Sequence, residues 1–302
     1  MKIKILILGS SGLLGNRVYK YFVKKKNFYQ IYHNGLTKKK IDLTNYKNLE
    51  KLIKYKKFDF IINCGALTNI DICQKFEKKS FNLNVRLIDN IFLIKKKNNL
   101  HFKLLHFSTD QLYNAKKKIK LTERKGSAVN IYCKHKILSE KICLKNKGIV
   151  FRTNFFGFPV SRKVLGFLCW VLENFKSRKN FNLVKETYFN PLSITSLCKI
   201  IEKVIIKLTH NTKIYGVYNL GSNTGIFKYK LAIKFAKKLN IYCNSYKIVD
   251  GKEIYSTKRS KIMLMDTSKF KKTFKISLNN IQKEIETELN YFKNDKNWKK
   301  YN

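Results

Sequence analysis

The chain has 302 residues, of which 44% are hydrophobic and 27% charged. That composition excludes wholesale disorder and leaves room for one large domain or two ordinary ones. No apolar stretch approaches the ~18 residues a membrane span needs. The opening run Ile3–Leu8 leads straight into glycine and does not read as a signal peptide. Seven cysteines without CxxC or Cys/His ligand spacing predict no metal site, and read as reduced thiols in a cytoplasm.

The net charge of +45 raises the question of a nucleic-acid or anionic-membrane partner. Only seven of the 64 basic residues are Arg, whereas a groove-reading surface normally uses the Arg fork heavily. The Lys runs at 24–26, 38–40, 95–97 and 116–118 are spread along the chain, while Ala and Pro are scarce. This joint bias is that of an AT-rich coding sequence acting on a solvated surface. No specific nucleic acid and no membrane is expected as a partner.

In chain order, the first half alternates short apolar runs with amphipathic stretches. Strands are predicted at Lys4–Leu8, Tyr29–Tyr32, Phe58–Asn63, Lys103–Phe107 and Ile149–Arg152. Helices are predicted at Leu13–Lys25, Tyr46–Lys54, Glu77–Lys96 and Ile131–Lys145. Such alternation predicts an α/β fold with a doubly wound parallel sheet covered on both faces. Phe158–Pro159 breaks the pattern. Helices then follow at Lys163–Phe175, Ile194–Lys207, Lys228–Leu239 and Leu278–Phe292, with short strands near Phe181–Val184, Gly216–Leu220 and Tyr246–Val249. The expected division is a dinucleotide-binding Rossmann domain over residues 1–156 and a smaller α+β substrate lobe over 157–302, with some segments interleaved. The polar tail after Asn294 is expected to fray.

Gly9-Ser-Ser-Gly12-Leu-Leu-Gly15 follows the first strand and opens the first helix. Glycines there allow a tight turn and close backbone approach, and a helix N-terminus offers N–H donors to a dinucleotide pyrophosphate. Gly9, Ser11, Gly12, Leu13, Leu14 and Gly15 are the candidates. No acid closes the second strand to hold a ribose; His33 and Asn34 stand there, followed by Lys38–Lys40. Both NADPH and NADH remain open on that ground.

Tyr132 and Lys136 are four residues apart on a predicted helix and share one face. An ammonium favours phenolate and draws a Tyr, ordinarily near pKa ~10, toward the working range for proton transfer. The pair falls on the helix directly after the strand that ends Phe107-Ser108-Thr109-Asp110. Thr109 is placed to hydrogen-bond a ketone oxygen. Neither nearby histidine is given a role: His106 reads as a packed core imidazole, and His135 as solvent-facing.

The glycine loop, Asp42-Leu43-Thr44, Asn63-Cys64-Gly65-Ala66, Ala66-Leu67-Thr68-Asn69-Ile70-Asp71, the Ser-Thr-Asp run, Tyr132-x-x-x-Lys136, Phe151-Arg152-Thr153, Tyr218-Asn219-Leu220-Gly221 and Arg259…Leu264-Met-Asp266-Thr-Ser-Lys269 form one ordered set. Together they resemble the dTDP-4-dehydrorhamnose reductase family of extended short-chain dehydrogenases/reductases over essentially the whole chain. The resemblance implies an NAD(P)H-dependent reductase of the 4-keto group of a nucleotide-linked deoxysugar. It puts Gly12, Leu13 and Leu14 at the pyrophosphate, and Asp42 and Leu43 beside the adenine. Ala66, Leu67, Thr68 and Phe107 would lie along the cofactor, which Tyr132 and Lys136 also contact. Thr109, Asp110 and Phe155 would face the sugar, and Asn84 matches a helix asparagine that supports a proton relay. The sequence departs from the family pattern at Cys133, where a Gly often follows the Tyr, and at Arg259-Ser260, where Arg-Pro is usual. Gln111 stands where sugar-nucleotide dehydratases carry a Glu, which disfavours elimination. An epimerase and a non-catalytic regulatory subunit are the alternatives, and a homodimer is the assembly allowed for.

Overall fold

The apolar run Ile3–Leu8 folds as β1, and its last four residues are fully buried, which makes it an interior strand. The computed structural model describes residues 2–34, 41–159, 166–177, 180–241 and 245–294. After β1 come α1 (Leu13–Val23), β2 (Tyr29–His33), α2 (Tyr46–Lys54) and β3 (Phe60–Asn63). Two short helices, α3 (Ile70–Lys75) and α4 (Glu77–Phe81), lead through a π turn at Asn82–Arg86 into α5 (Leu87–Lys97). Then follow β4 (Lys103–Thr109), α6 (Ile131–Lys145), β5 (Ile149–Thr153), β6 (Phe155–Phe156), α7 (Phe167–Ser177), β7 (Phe181–Val184), β8 (Tyr188–Phe189), β9 (Leu192–Ser193) and α8 (Ile194–His210). The remainder is β10 (Gly216–Leu220), β11 (Ile226–Phe227), α9 (Lys228–Lys238), β12 (Tyr246–Val249), β13 (Ile262–Met263), α10 (Ser268–Phe274) and α11 (Ile281–Asn294).

The chain forms two compact units of similar length. The first comprises Met1–Thr109, Ala128–Arg152 and Ile205–Tyr218. Its sheet has the order β10-β5-β4-β3-β1-β2 and is mostly parallel. Ile5 pairs with Ile31 on one side and Phe60 on the other, so β1 is central. The chain steps from β1 to β2, then returns past β1 to β3, β4 and β5. The direction reverses between β1 and β3, and at such a switch point an open α/β sheet leaves a crevice beyond its strand ends. Leu6, Leu8, Ile61, Ile88, Ile91 and Leu104 make the core on one side of this sheet.

One expectation is corrected here. Gly216–Leu220, grouped with the later lobe in the sequence, is β10, the edge strand beside β5. Its fully buried Val-Tyr-Asn-Leu run is what a covered sheet accepts. The helix expected over Glu77–Lys96 is present and runs from Glu77 to Lys97, with a π turn at Asn82–Arg86 that places Asn84 in its widened coil. The expected start at Lys163 and the tail beyond Asn294 lie outside the described residues.

The second unit comprises Asp110–Ser127, Thr153–Val204 and Asn219–Asn302. It contains a three-stranded sheet β11-β8-β13 and the parallel pairs β12-β7 and β6-β9. Its core mixes aliphatic and aromatic side chains, with Phe158 and Phe292 rings 4.2 Å apart and Phe156 against Phe235 at 5.4 Å. Two buried carboxylates on α11 tie it to the start of α8. Glu284 accepts from Ser193 N and Oγ, both at 2.8 Å, and Glu288 accepts from Thr195 Oγ1 at 2.8 Å. Negative charge at a helix N-terminus also complements the α8 dipole.

Candidate active site

The turn after β1 reverses the chain within a few residues. Gly9 adopts φ +76°, and a Cβ there would lie 2.4 Å from Gly65 N, so only glycine fits. Its N–H donates to Asn34 Oδ1 at 2.8 Å, and its carbonyl accepts from Gly12 N at 3.0 Å. Gly12 is the N-cap of α1 and has no side chain to cap it. The first N–H groups of that helix are therefore available to a bound anion. A Cβ on Gly12 would meet only Gly9 O, at 3.4 Å, so the space above it is open. A backbone donor set facing open space fits the pyrophosphate of a dinucleotide.

This loop borders a cleft of about 270 Å³ at the switch point. Gly9, Ser11, Gly12, Asp42, Leu43 and Ala66 all line it, with Asn34, Cys64, Gly65 and Leu83 beside them. Asp42 is fixed by its own turn, Oδ1 accepting from Thr44 N at 2.9 Å and Oγ1 at 2.7 Å. The other expected cofactor residues stand elsewhere. Leu14 and Gly15 are buried in the first turn of α1, and Leu13 is partly exposed. Thr68 is exposed, and Leu67 is gripped by Asn84, whose Oδ1 accepts from Leu67 N and whose Nδ2 donates to Leu67 O, both at 3.0 Å. That grip was not visible in the sequence, because the π turn that aims Asn84 has no local signature. Lys38–Lys40 lie outside the described residues.

Helix α6 starts at Asn130, whose side chain accepts from Cys133 N at 2.9 Å. Tyr132, His135, Lys136, Ser139 and Glu140 are all buried on it. The Lys136 ammonium donates to Phe107 O at 2.6 Å, two residues before Thr109 at the end of β4. Burial pulls its pKa down to about 8, against the opposing pull of the Glu140 carboxylate. Thr109 and Tyr132 are both nearly inaccessible. Tyr132, Lys136 and Thr109 thus sit on one helix and the strand end that anchors its lysine.

Both histidines are buried. His106 bridges Asn63 (3.1 Å) and Ser139 (3.1 Å), the packed imidazole expected, and burial lowers its pKa. His135 was expected to face solvent and does not: Ser80 bonds its Nδ1 at 2.8 Å, and the ring packs edge-on against Phe81. Both partners lie on α4, inside the helix expected over Glu77–Lys96.

In the second unit, Asp110 Oδ2 accepts from Asn154 Nδ2 at 2.8 Å, and Phe155 is partly exposed on β6. Gln111 donates to Met263 Sδ at 2.9 Å. A cavity of about 450 Å³ in this unit is lined by Phe167, Trp170, Lys228, Tyr229 and Tyr255, none of them predicted from sequence. Burial, with the nearby Arg259 charge, brings the Lys228 ammonium down to about 8, while Asp110 opposes the shift. The Arg259 guanidinium lies 3.7 Å from the centre of the Tyr255 ring. Among the described residues no cluster of His, Cys, Asp or Glu could hold a metal, and no helix is long and apolar enough to cross a membrane.

No curated protein matches the chain. A dTDP-4-dehydrorhamnose reductase from Bacillus anthracis, solved with NADP, has 21% identity and a TM-score of 0.84, covering 96% of this chain and 100% of that one. A Clostridium acetobutylicum dTDP-4-dehydrorhamnose reductase ortholog gives 20%, 0.82, 96% and 100%. The B. anthracis dTDP-glucose 4,6-dehydratase, solved with NAD, gives 19%, 0.77, 98% and 98%. At these identities the likeness establishes the fold. The sequence profile of the RmlD substrate binding domain family matches residues 2–294, and the chain belongs to that family of NAD(P)-dependent oxidoreductases.

Proposed function

We propose that the protein reduces the 4-keto group of a dTDP-linked 6-deoxysugar with NADPH, and that Tyr132 donates the proton. The carrying observation is the buried Lys136, fixed to Phe107 O on the same helix face as Tyr132. NADP or NADPH in related structures supports the choice of cofactor. When bound, NADPH supplies hydride to the ketone carbon.

The chain's own residues do the rest. The loop Gly9–Gly15 and the start of α1 bind the pyrophosphate through backbone N–H groups, with Leu13 and Leu14 at the helix start. Asp42 and Leu43 flank the adenine, while Ala66, Leu67, Thr68 and Phe107 lie along the cofactor. Thr109 orients the ketone. A carbonyl that gains hydride becomes an alkoxide, so an acid must neutralise the developing charge, and Tyr132 does so. Lys136 favours the phenolate that remains and holds the nicotinamide ribose. Asp110 and Phe155 face the sugar. The free thiols suit the reducing cytoplasm in which we place the enzyme.

The test incubates the protein with dTDP-4-dehydro-6-deoxy-L-mannose and NADPH and follows loss of nicotinamide absorbance. Turnover with formation of dTDP-rhamnose is expected. Tight binding of both ligands without turnover would favour a regulatory subunit instead.

A further inference from the structure

We infer that Glu140, held by Arg152 and Ser108, is a positioning residue that keeps Lys136 charged and locks α6 in register on the end of β4. The inference rests on the reading of Lys136 as part of the proton-transfer machinery.

Two successive rungs join helix to strand. Lys136 donates to Phe107 O at 2.6 Å, and one helical turn later Glu140 accepts from Ser108 Oγ at 2.5 Å. Phe107 and Ser108 directly precede Thr109, so the rungs fix the strand end that carries it. Arg152 on β5 then takes Glu140 in a two-pronged grip, Nε at 2.9 Å and Nη2 at 2.6 Å. All four side chains are buried or nearly so. A buried ion pair is weak support for stability, because desolvation offsets its attraction. Its placement one turn from Lys136 gives it a second effect.

Besides the Tyr132 phenol on the same helix face, the titratable groups facing Lys136 are Glu140 and Cys143 on α6, Cys73 on α3 and His106 on β4. Burial drives both thiols up and the imidazole down, so these three are neutral at pH 7. Of this set only the Glu140 carboxylate opposes the loss of the Lys136 proton. Arg152 consumes part of that negative charge.

The two partners of one ion pair should therefore act with opposite sign. In protein with ¹³C-labelled lysine, the Lys136 Cε signal is identified by its absence from Lys136→Met and titrated in wild type, Glu140→Gln and Arg152→Met. Glu140→Gln should lower the midpoint by on the order of one pH unit, and Arg152→Met should raise it. The alkaline limb of kcat/KM and the pH at which NADPH affinity falls should move with it. A purely structural pair would leave the midpoint unmoved, or move it the same way in both variants, and either result overturns the inference. If a single variant fails to fold, the neutral pair Glu140→Gln with Arg152→Gln decides. It should lower the midpoint, and an unchanged midpoint overturns the inference. Absence of turnover in wild type would count against the proposed reaction alone, since the lysine titration is read without substrate.

Discussion

Gly12 and Gly15 stand one turn apart in the same loop and are glycines for different reasons. A Cβ on Gly15 would lie 2.2 Å from Gly9 O and 2.9 Å from Ser10 Cα, both backbone atoms that cannot step aside. A Cβ on Gly12 meets the same oxygen at 3.4 Å, an ordinary contact. Gly15 lets α1 pack against the Gly9–Ser10 turn that follows β1, whereas Gly12 leaves room for something outside the protein.

Gly12→Val should therefore fold with a melting temperature near that of wild type and lose NADPH affinity by at least tenfold, read by fluorescence titration. Gly15→Val should lose stability by about 2–4 kcal/mol, as other clashes in a packed interior do. Equal NADPH affinity in Gly12→Val and wild type would remove the pyrophosphate from this loop.

Lys136 gives a prediction with the opposite sense for stability and activity. Its folded pKa, about 8, lies below its ordinary value of 10.5 because its ammonium is buried. The unfolded chain thus holds the proton more tightly, so burial costs stability below pH 8. The cost fades as pH rises from 8 toward 10.5. Lys136→Met should melt a few degrees higher than wild type at pH 7, with the gap closing by pH 10, while turnover is lost. A variant that melts lower at pH 7 would show that the bond to Phe107 O outweighs the desolvation.

Much of this was legible in the sequence because the signals are local. A strand, three glycines and a helix within 23 residues specify the loop, and Tyr132 and Lys136 share a helix face by spacing alone. What was missed depends on partners distant in sequence. His135 looks like a surface residue between two lysines until Ser80, 55 positions away, bonds its ring. Gly216–Leu220 has no mark that assigns it to the first sheet until it lies beside β5. The cavity lined by Trp170, Lys228 and Tyr255 gathers three segments distant from one another in sequence.

The charge excess should have no sequence-reading role. Lys96, Lys97, Lys116, Lys117 and Lys118 are exposed in two separate runs, one in each unit. Affinity for duplex DNA should be weak, independent of sequence, and abolished near 0.2 M salt as counterion release weakens. Fluorescence anisotropy with two unrelated duplexes measures this. Tight binding to one of them that survives such salt would restore a nucleic-acid function.

The last prediction separates the proton donor from its supports. Tyr132→Phe removes one oxygen from a buried ring and leaves the ring packing in place. Loss of a general acid costs about 10²- to 10⁴-fold, so kcat should fall by that range while NADPH affinity stays within a factor of two. Thr109→Ala removes the hydroxyl that, in the proposed mechanism, aligns the ketone without exchanging its proton. It should cost less in kcat and raise KM. Lys136→Met should lower kcat and NADPH affinity together, because in the proposed mechanism one ammonium serves both the phenol and the ribose. The three variants are therefore told apart by which constants move, with kcat, KM and NADPH Kd measured for each at pH 7. Near-normal turnover by Tyr132→Phe would transfer the acid role to another group. Equal losses in all three would mean that the substitutions disturb the end of β4 and not the chemistry performed there.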